Sequence, residues 1–363
     1  MGSANFTIAN SFTNTANLEL TSIDGGYSSQ LNMPAATLTN GATGNLYVFA
    51  GAGGGRVLAV QLVNQGTMTS GATLNLNRAS AAHLNSGTIT MTGASDLNIT
   101  QTGTTPSFTN TGTINAAPGN SFAFSNGTID LTAGVVTGSS SYFVTTGTPT
   151  VRFTAQTVQP RVGLSAGSIL PDPFVIANGD SLRVYGSFAP PSLTNNGLLL
   201  LEGTGGVMNT ALTTGATSII RVRGGAAMGS TNFTIANGFT NNGAIELTSI
   251  DGGYSATLTM TGATLTNAAG ATLTSVAGQG GGRTLQMLML ENLGTFTVNS
   301  STTANHAINQ YGTLNVNAPA VLTVQGVLTL FTGSSTSIFG TINKNGGCVL
   351  NGTPTLLQGT TCP

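Results

Sequence analysis

Leu84-Asn85-Ser86-Gly87-Thr88-Ile89-Thr90-Met91 sets out the unit from which the chain is built. An apolar residue and Asn, a variable position and Gly lead into a segment in which apolar and hydroxyl side chains alternate with period two, the pattern of a half-buried strand. It returns as Phe108-Thr109-Asn110-Thr111-Gly112-Thr113-Ile114-Asn115, and again over residues 193–198, 239–247, 290–298 and 308–316. The motif glycines recur about every 18 to 27 residues, the repeat length of a solenoid coil, with loops that vary from copy to copy.

A longer repeat encloses the short one. Residues 1–56 (MGSANFTIANSFTNTANLELTSIDGGYS, onward to GAGGGR) align without gaps to residues 228–283 (MGSTNFTIANGFTNNGAIELTSIDGGYS, onward to GQGGGR) at roughly two-thirds identity. No stretch carries a helical apolar stripe, and Glu and Lys are scarce while Gly numbers 51, so a helix-connected sheet is disfavoured. A sandwich would give successive copies no fixed spatial relation, whereas a solenoid places equivalent residues over one another. The repeated Asn favours stacking. Asn tolerates the left-handed backbone of a corner, and stacked amides bond along the axis as a ladder. The expected fold is all-β, a single-stranded right-handed parallel β-helix of about 15 coils, roughly 70 Å long at one strand spacing per coil. Its expected Asn ladder is Asn64, Asn85, Asn110, Asn126, Asn195, Asn241, Asn267, Asn292 and Asn309. Ile89, Met91, Ile114, Ile129, Leu131, Ile245 and Leu247 are expected inside, with Thr88, Thr90, Thr113 and Thr128 outside.

One continuous solenoid is expected over residues 1–363. Residues 139–223 hold Pro149, Pro160, Pro171, Pro173, Pro190, Pro191 and most of the arginines, and are expected to form less regular coils, because proline cannot donate to a sheet ladder. Cys348 and Cys362 stand alone near the C-terminus, so residues 344–363 read as an end stapled by a disulfide in an oxidising compartment; two free thiols are the alternative.

Charged residues make up 5% of the chain and the net charge is −1. Such a chain offers no field for nucleic acid or an anionic membrane, and no run of about 18 apolar residues spans a bilayer. The first residues lack the basic and apolar regions of a signal peptide, so an export signal is expected upstream or removed. The inventory of catalytic groups is thin. His83 and His306 fall in roughly corresponding places of the two cassettes, which points to a structural role. The recurring carboxylates are Glu19 with Asp24 and Glu246 with Asp251. The segment Ser22-Ile23-Asp24-Gly25-Gly26-Tyr27-Ser28 is the best candidate ion or sugar contact, so Asp24, Tyr27, Asp251 and Tyr254 are weak ligand candidates against a turn in which Asp bonds the backbone. Gly53-Gly54-Gly55-Arg56 and Gly280-Gly281-Gly282-Arg283 read as tight loops, because no helix follows to cradle a phosphate. No catalytic group, cofactor or metal is expected.

The LTN-x-G-T-hydrophobic segments, as in residues 265–273 and 84–91, resemble the β-strand repeats of large bacterial surface proteins, the filamentous-haemagglutinin-like adhesins and autotransporter passenger regions. The resemblance covers most of the chain and implies a secreted parallel β-helix that projects from a cell and binds surfaces, glycans or other cells. The sequence shows neither an export-recognition domain nor a membrane barrel. The expected function is therefore a structural or adhesive rod at the cell surface, with itself or surface glycans as partners. Outward Thr pairs such as Thr88 with Thr90 and Thr295 with Thr297 raise an ice-binding alternative, although the variable loops lead one to expect drifting register. A glycan-binding or glycan-cleaving helix of the phage-tailspike kind is the third reading.

Overall fold

A computed structural model describes residues 2–138, 141–155, 161–165, 168–357 and 362. Met1 and Pro160, used above, lie outside the described residues. The chain is all-β, a solenoid of about 16 turns built from parallel strands. No helix long and apolar enough to cross a membrane occurs among the described residues. Its contacts divide it into two units, residues 1–171 and 172–363, with the division falling in the proline-richer stretch.

In the first unit a representative coil comprises the strands Ala82–Asn85, Thr88–Met91 and Leu97–Thr100. Each pairs in parallel with the equivalent strand one coil on, Thr88 with Thr113 and Ile89 with Ile114. The period-two alternation dictates what is buried. Leu46, Met68, Ile89, Ile114 and Val136 form one inward column across five coils, and all are buried. Every residue expected inside is buried, and Thr88, Thr90, Thr113 and Thr128 stand half-exposed on the opposite face.

The second unit repeats the plan. Ile220, Ile245, Leu273, Phe296 and Leu314 stack in register. A single coil has a neighbour above and below for each of these side chains, and burying them offsets the entropy of ordering the backbone only when those neighbours are present.

Close stacking also explains the motif glycine. A Cβ on Gly87 would lie 2.1 Å from the Gly66 carbonyl oxygen of the preceding coil, and one on Gly112 would lie 2.1 Å from that of Gly87. Only glycine lets successive corners approach this closely.

In the proline-richer region, Glu202 is buried between Arg183 (3.0 Å) and Arg223 (2.5 Å). Arg221 meets Glu246 at 2.6 Å on the neighbouring coil. Most of the arginines found there in the sequence thus tie adjacent coils together.

Candidate functional site

Two buried polar systems run through the coils. The first is the amide column. In the first unit the Nδ2 of Asn14 donates to Oδ1 of Asn40, Asn40 to Asn64, Asn64 to Asn85 and Asn85 to Asn110, at 2.7–2.8 Å. These links span 26, 24, 21 and 25 residues. The second unit has Asn241 to Asn267, Asn267 to Asn292, and Asn292 to Gln310. The asparagines of the column also donate to backbone carbonyls, as Asn40 does to Gly44 and Thr67. Buried amides are costly unless bonded, and the asparagines are bonded along the column and to its walls, while Gln310 accepts from Asn292 and its Nε2 is buried without a partner.

Three asparagines expected in the column are placed otherwise. Asn309 points outward and bonds the Met289 sulfur, while Gln310, the next residue, takes the buried position. Asn126 is exposed, with φ at 56°. It is the one asparagine in the left-handed region among the described residues. The column residues instead end their strands in extended backbone, which keeps the side chain inward, so the left-handed corner is not how the ladder is made. Asn195 is fully buried at the corner position, but its register neighbours are Ile176 and Thr214, and it bonds the Ile219 carbonyl and the Gly197 N–H. Asn14, Asn40 and Gln310 are column members that the sequence reading omitted.

The second system is the pair of glycine–arginine loops. Arg56 is fully buried, and its guanidinium donates to the carbonyls of Phe49, Ala50, Gly53, Gly54 and Gly55 at 2.7–3.1 Å. Arg283 does the same with Leu247, Val276, Ala277, Gly280, Gly281 and Gly282. Burial pulls the pKa of both below the ordinary guanidinium value. The glycines are required: Gly54 has φ at 77°, and a Cβ there would lie 1.9 Å from the Tyr27 carbonyl oxygen. These loops are tight, as expected, and their arginines are folded into them as internal clamps.

The Asp-Gly-Gly-Tyr loops stack directly against the clamped loops. Ser22 Oγ donates to the Asp24 carbonyl at 2.6 Å, and Ser249 Oγ to that of Asp251 at 2.5 Å. The Asp251 carboxylate accepts the Ala226 N–H at 2.7 Å, which is the backbone-bonding role of a turn aspartate. Asp24 is exposed beside Ile23 and Tyr27 in a shallow cavity of about 210 Å³. Tyr254 is half-exposed.

The two histidines do not correspond. His83 lies inside the Ala82–Asn85 strand, two residues before a column amide, where the second unit has Ile308; His306 precedes the Ala307–Gln310 strand. His83 Nδ1 accepts the Leu62 N–H at 3.1 Å, and burial, aided by the nearby Arg78 charge, lowers its pKa to about 4. His306 Nδ1 bonds the Ala307 carbonyl at 2.8 Å, and burial lowers its pKa against that bond. Cys348 and Cys362 are joined by a disulfide with Cα atoms 5.5 Å apart.

Compared with known proteins, the chain matches no family model, no curated protein and no solved structure. The likeness to bacterial surface repeats therefore rests on the sequence motif together with the solenoid fold.

Proposed function

We propose that the chain is a structural and adhesive solenoid of an extracellular surface or fibre protein, non-catalytic, with surface glycans or further copies of itself as partners. One observation carries the reading: the largest buried polar systems are spent on the fold itself, the amide columns and the Glu202 cluster in binding coil to coil and the arginine clamps in holding their own loops. The disulfide supports an oxidising compartment, where such bonds persist. Mild protease treatment of intact producing cells, followed by mass spectrometry of the released peptides, tests the location. Recovery of this chain's peptides is expected, and their confinement to the lysed fraction would end the extracellular reading. Incubating purified protein with a polysaccharide panel tests the rest: retention on glycans without new reducing ends is expected, and release of new ends would make it an enzyme.

A second reading is favoured by the outward threonines. Their register does not drift as the variable loops led one to expect. Thr272, Thr295 and Thr313 align in one column, with Thr274, Thr297, Asn315 and Ser337 beside them. Thr67, Thr88 and Thr113 align likewise in the first unit, next to Thr69, Thr90 and Asn115. Parallel-strand geometry spaces such a grid by roughly 4.8 Å between coils and 6.6 Å along each strand. A regular, uncharged array of hydroxyls and methyls is the kind of surface that orders water, which supports ice binding. Thermal hysteresis in purified protein is the expected result under this reading, and ordinary freezing would dismiss it.

A further inference from the structure

The strands Thr231–Ile235, Ala256–Thr259, Arg283–Gln286, Thr302–Ala304 and Val321–Val324 are neighbours in one sheet of the second unit. Outward side chains stand on it in two columns. Asn232, Thr257, Thr284, Thr303 and Thr323 share one register. Thr234, Thr259 and Gln286 share the other. Backbone bonds from the Asn305 N–H to the Leu285 carbonyl and from the Gln325 N–H to the Ala304 carbonyl carry this second column on through Asn305 and Gln325. None of these residues is charged, and Arg283 is turned inward to its clamp.

The second column changes along its length from hydroxyl to amide. Gln286 and Asn305 are exposed, and their side-chain amides bond nothing among the described residues. The corner beside them tightens from coil to coil. Residues 260–263, then 287–288, then 305–306 make the turn before the strands that begin at Thr264, Met289 and Ala307. A cavity of about 310 Å³ lies at this step, lined by Thr259, Thr261, Gln286, Leu288 and Asn305. Leu288 is 60% exposed.

We propose that this face, from Thr259 to Gln325, binds a neutral polysaccharide laid along the coil axis; the assignment rests on the adhesive reading above and gives it a site. Each amide offers donors and an acceptor together, the complement of sugar hydroxyls, which also donate and accept. A repeat of roughly 4.8 Å between coils presents such groups to successive parts of an extended chain. Leu288 supplies apolar surface for the C–H face of a sugar ring, in the way that binding sites join apolar walls to a few placed polar groups. The absence of charge selects against uronic acids and sulfated chains, which would lose hydration without gaining a cation. An ice lattice is the poorer occupant, because Thr259, Gln286 and Asn305 differ in length within one column, unlike Thr272, Thr295 and Thr313 on the other sheet.

Calorimetric titration of the full chain with cellohexaose, xylohexaose and mannohexaose, and with hexagalacturonate as the charged comparator, tests the assignment. Binding of a neutral hexaose is expected. Gln286→Ala combined with Asn305→Ala should weaken it about tenfold with circular dichroism unchanged. Leu288→Ser should weaken it as well, whereas Thr272→Ala combined with Thr295→Ala should leave it as it was. If the unaltered protein binds none of these oligosaccharides, the glycan reading falls and this site with it. If a neutral hexaose binds the amide variant equally well, or hexagalacturonate binds tightest, glycan adhesion stands and the present assignment falls. Thermal hysteresis that the amide variant loses would give the face to ice instead.

Discussion

At the scale of the residue, the buried polar side chains carry the sharpest expectations. Asn64 accepts from one neighbour and donates to the next. Its replacement by Ala strands both, and should cost about 2 kcal/mol in urea unfolding. Asn309→Ala, on the outward face, should change stability by less than about 0.5 kcal/mol. Arg56→Met leaves five carbonyls without their donor and should destabilise by roughly 3 kcal/mol. Lys at this position should recover only part of that, because an ammonium cannot span the fork of acceptors that a guanidinium reaches. His83 carries a pH dependence with a definite sign. Its folded pKa, about 4, lies below the unfolded value near 6.5, so the proton prefers the unfolded chain. The stability present above about pH 6.5 falls as pH drops toward 4, by up to roughly 3 kcal/mol. Melting followed between pH 7 and pH 4 should show this decline, and His83→Gln should flatten much of it, with His306 contributing a remainder of the same sign.

At the scale of the element, strands were legible because period-two alternation has one geometric meaning, and Ile89 and Ile114 could be placed inside on that ground alone. The column was harder to read. In most coils its signal is Asn two places before Gly, as in Asn64-Gln65-Gly66 and Asn85-Ser86-Gly87, but Asn14, Asn40 and Asn267 lack it and Asn195 has it without joining the ladder. That spacing points to Gln310 in Gln310-Tyr311-Gly312 rather than to Asn309. The arginine clamps were not legible as clamps, because nothing local says that a loop will curl around its own cation. The available signal was an arginine kept in both cassettes of a chain with 5% charged residues. The disulfide closes the last coil over a separation of 14 residues. Its reduction should release roughly 3 kcal/mol of constraint there. Hydrogen exchange should rise around residues 341–351 while the amide column of residues 14–110 stays protected.

For the molecule as a whole, stability is a sum over coils and their nearest neighbours. Deleting residues 272–294 removes three strands, Thr272–Ser275, Arg283–Gln286 and Met289–Asn292, and brings Ala271 to Thr295 in the same phase. Asn267 would then face Gln310, a pairing of the kind Asn292 already makes. The shortened protein should keep its β-sheet circular dichroism and unfold cooperatively, whereas a deletion of half that length, which throws inward side chains out, should not fold.

Every amide in the first unit's column gives its proton in one direction, from Asn14 toward Asn110, and the carbonyls around each amide fix that sense because they can only accept. The column therefore has an electrical head and tail, like a row of magnets laid pole to pole, in which each bond polarises the next. Rotating one amide by half a turn would set two donors and two acceptors against each other, so reversal must involve the whole row or none of it.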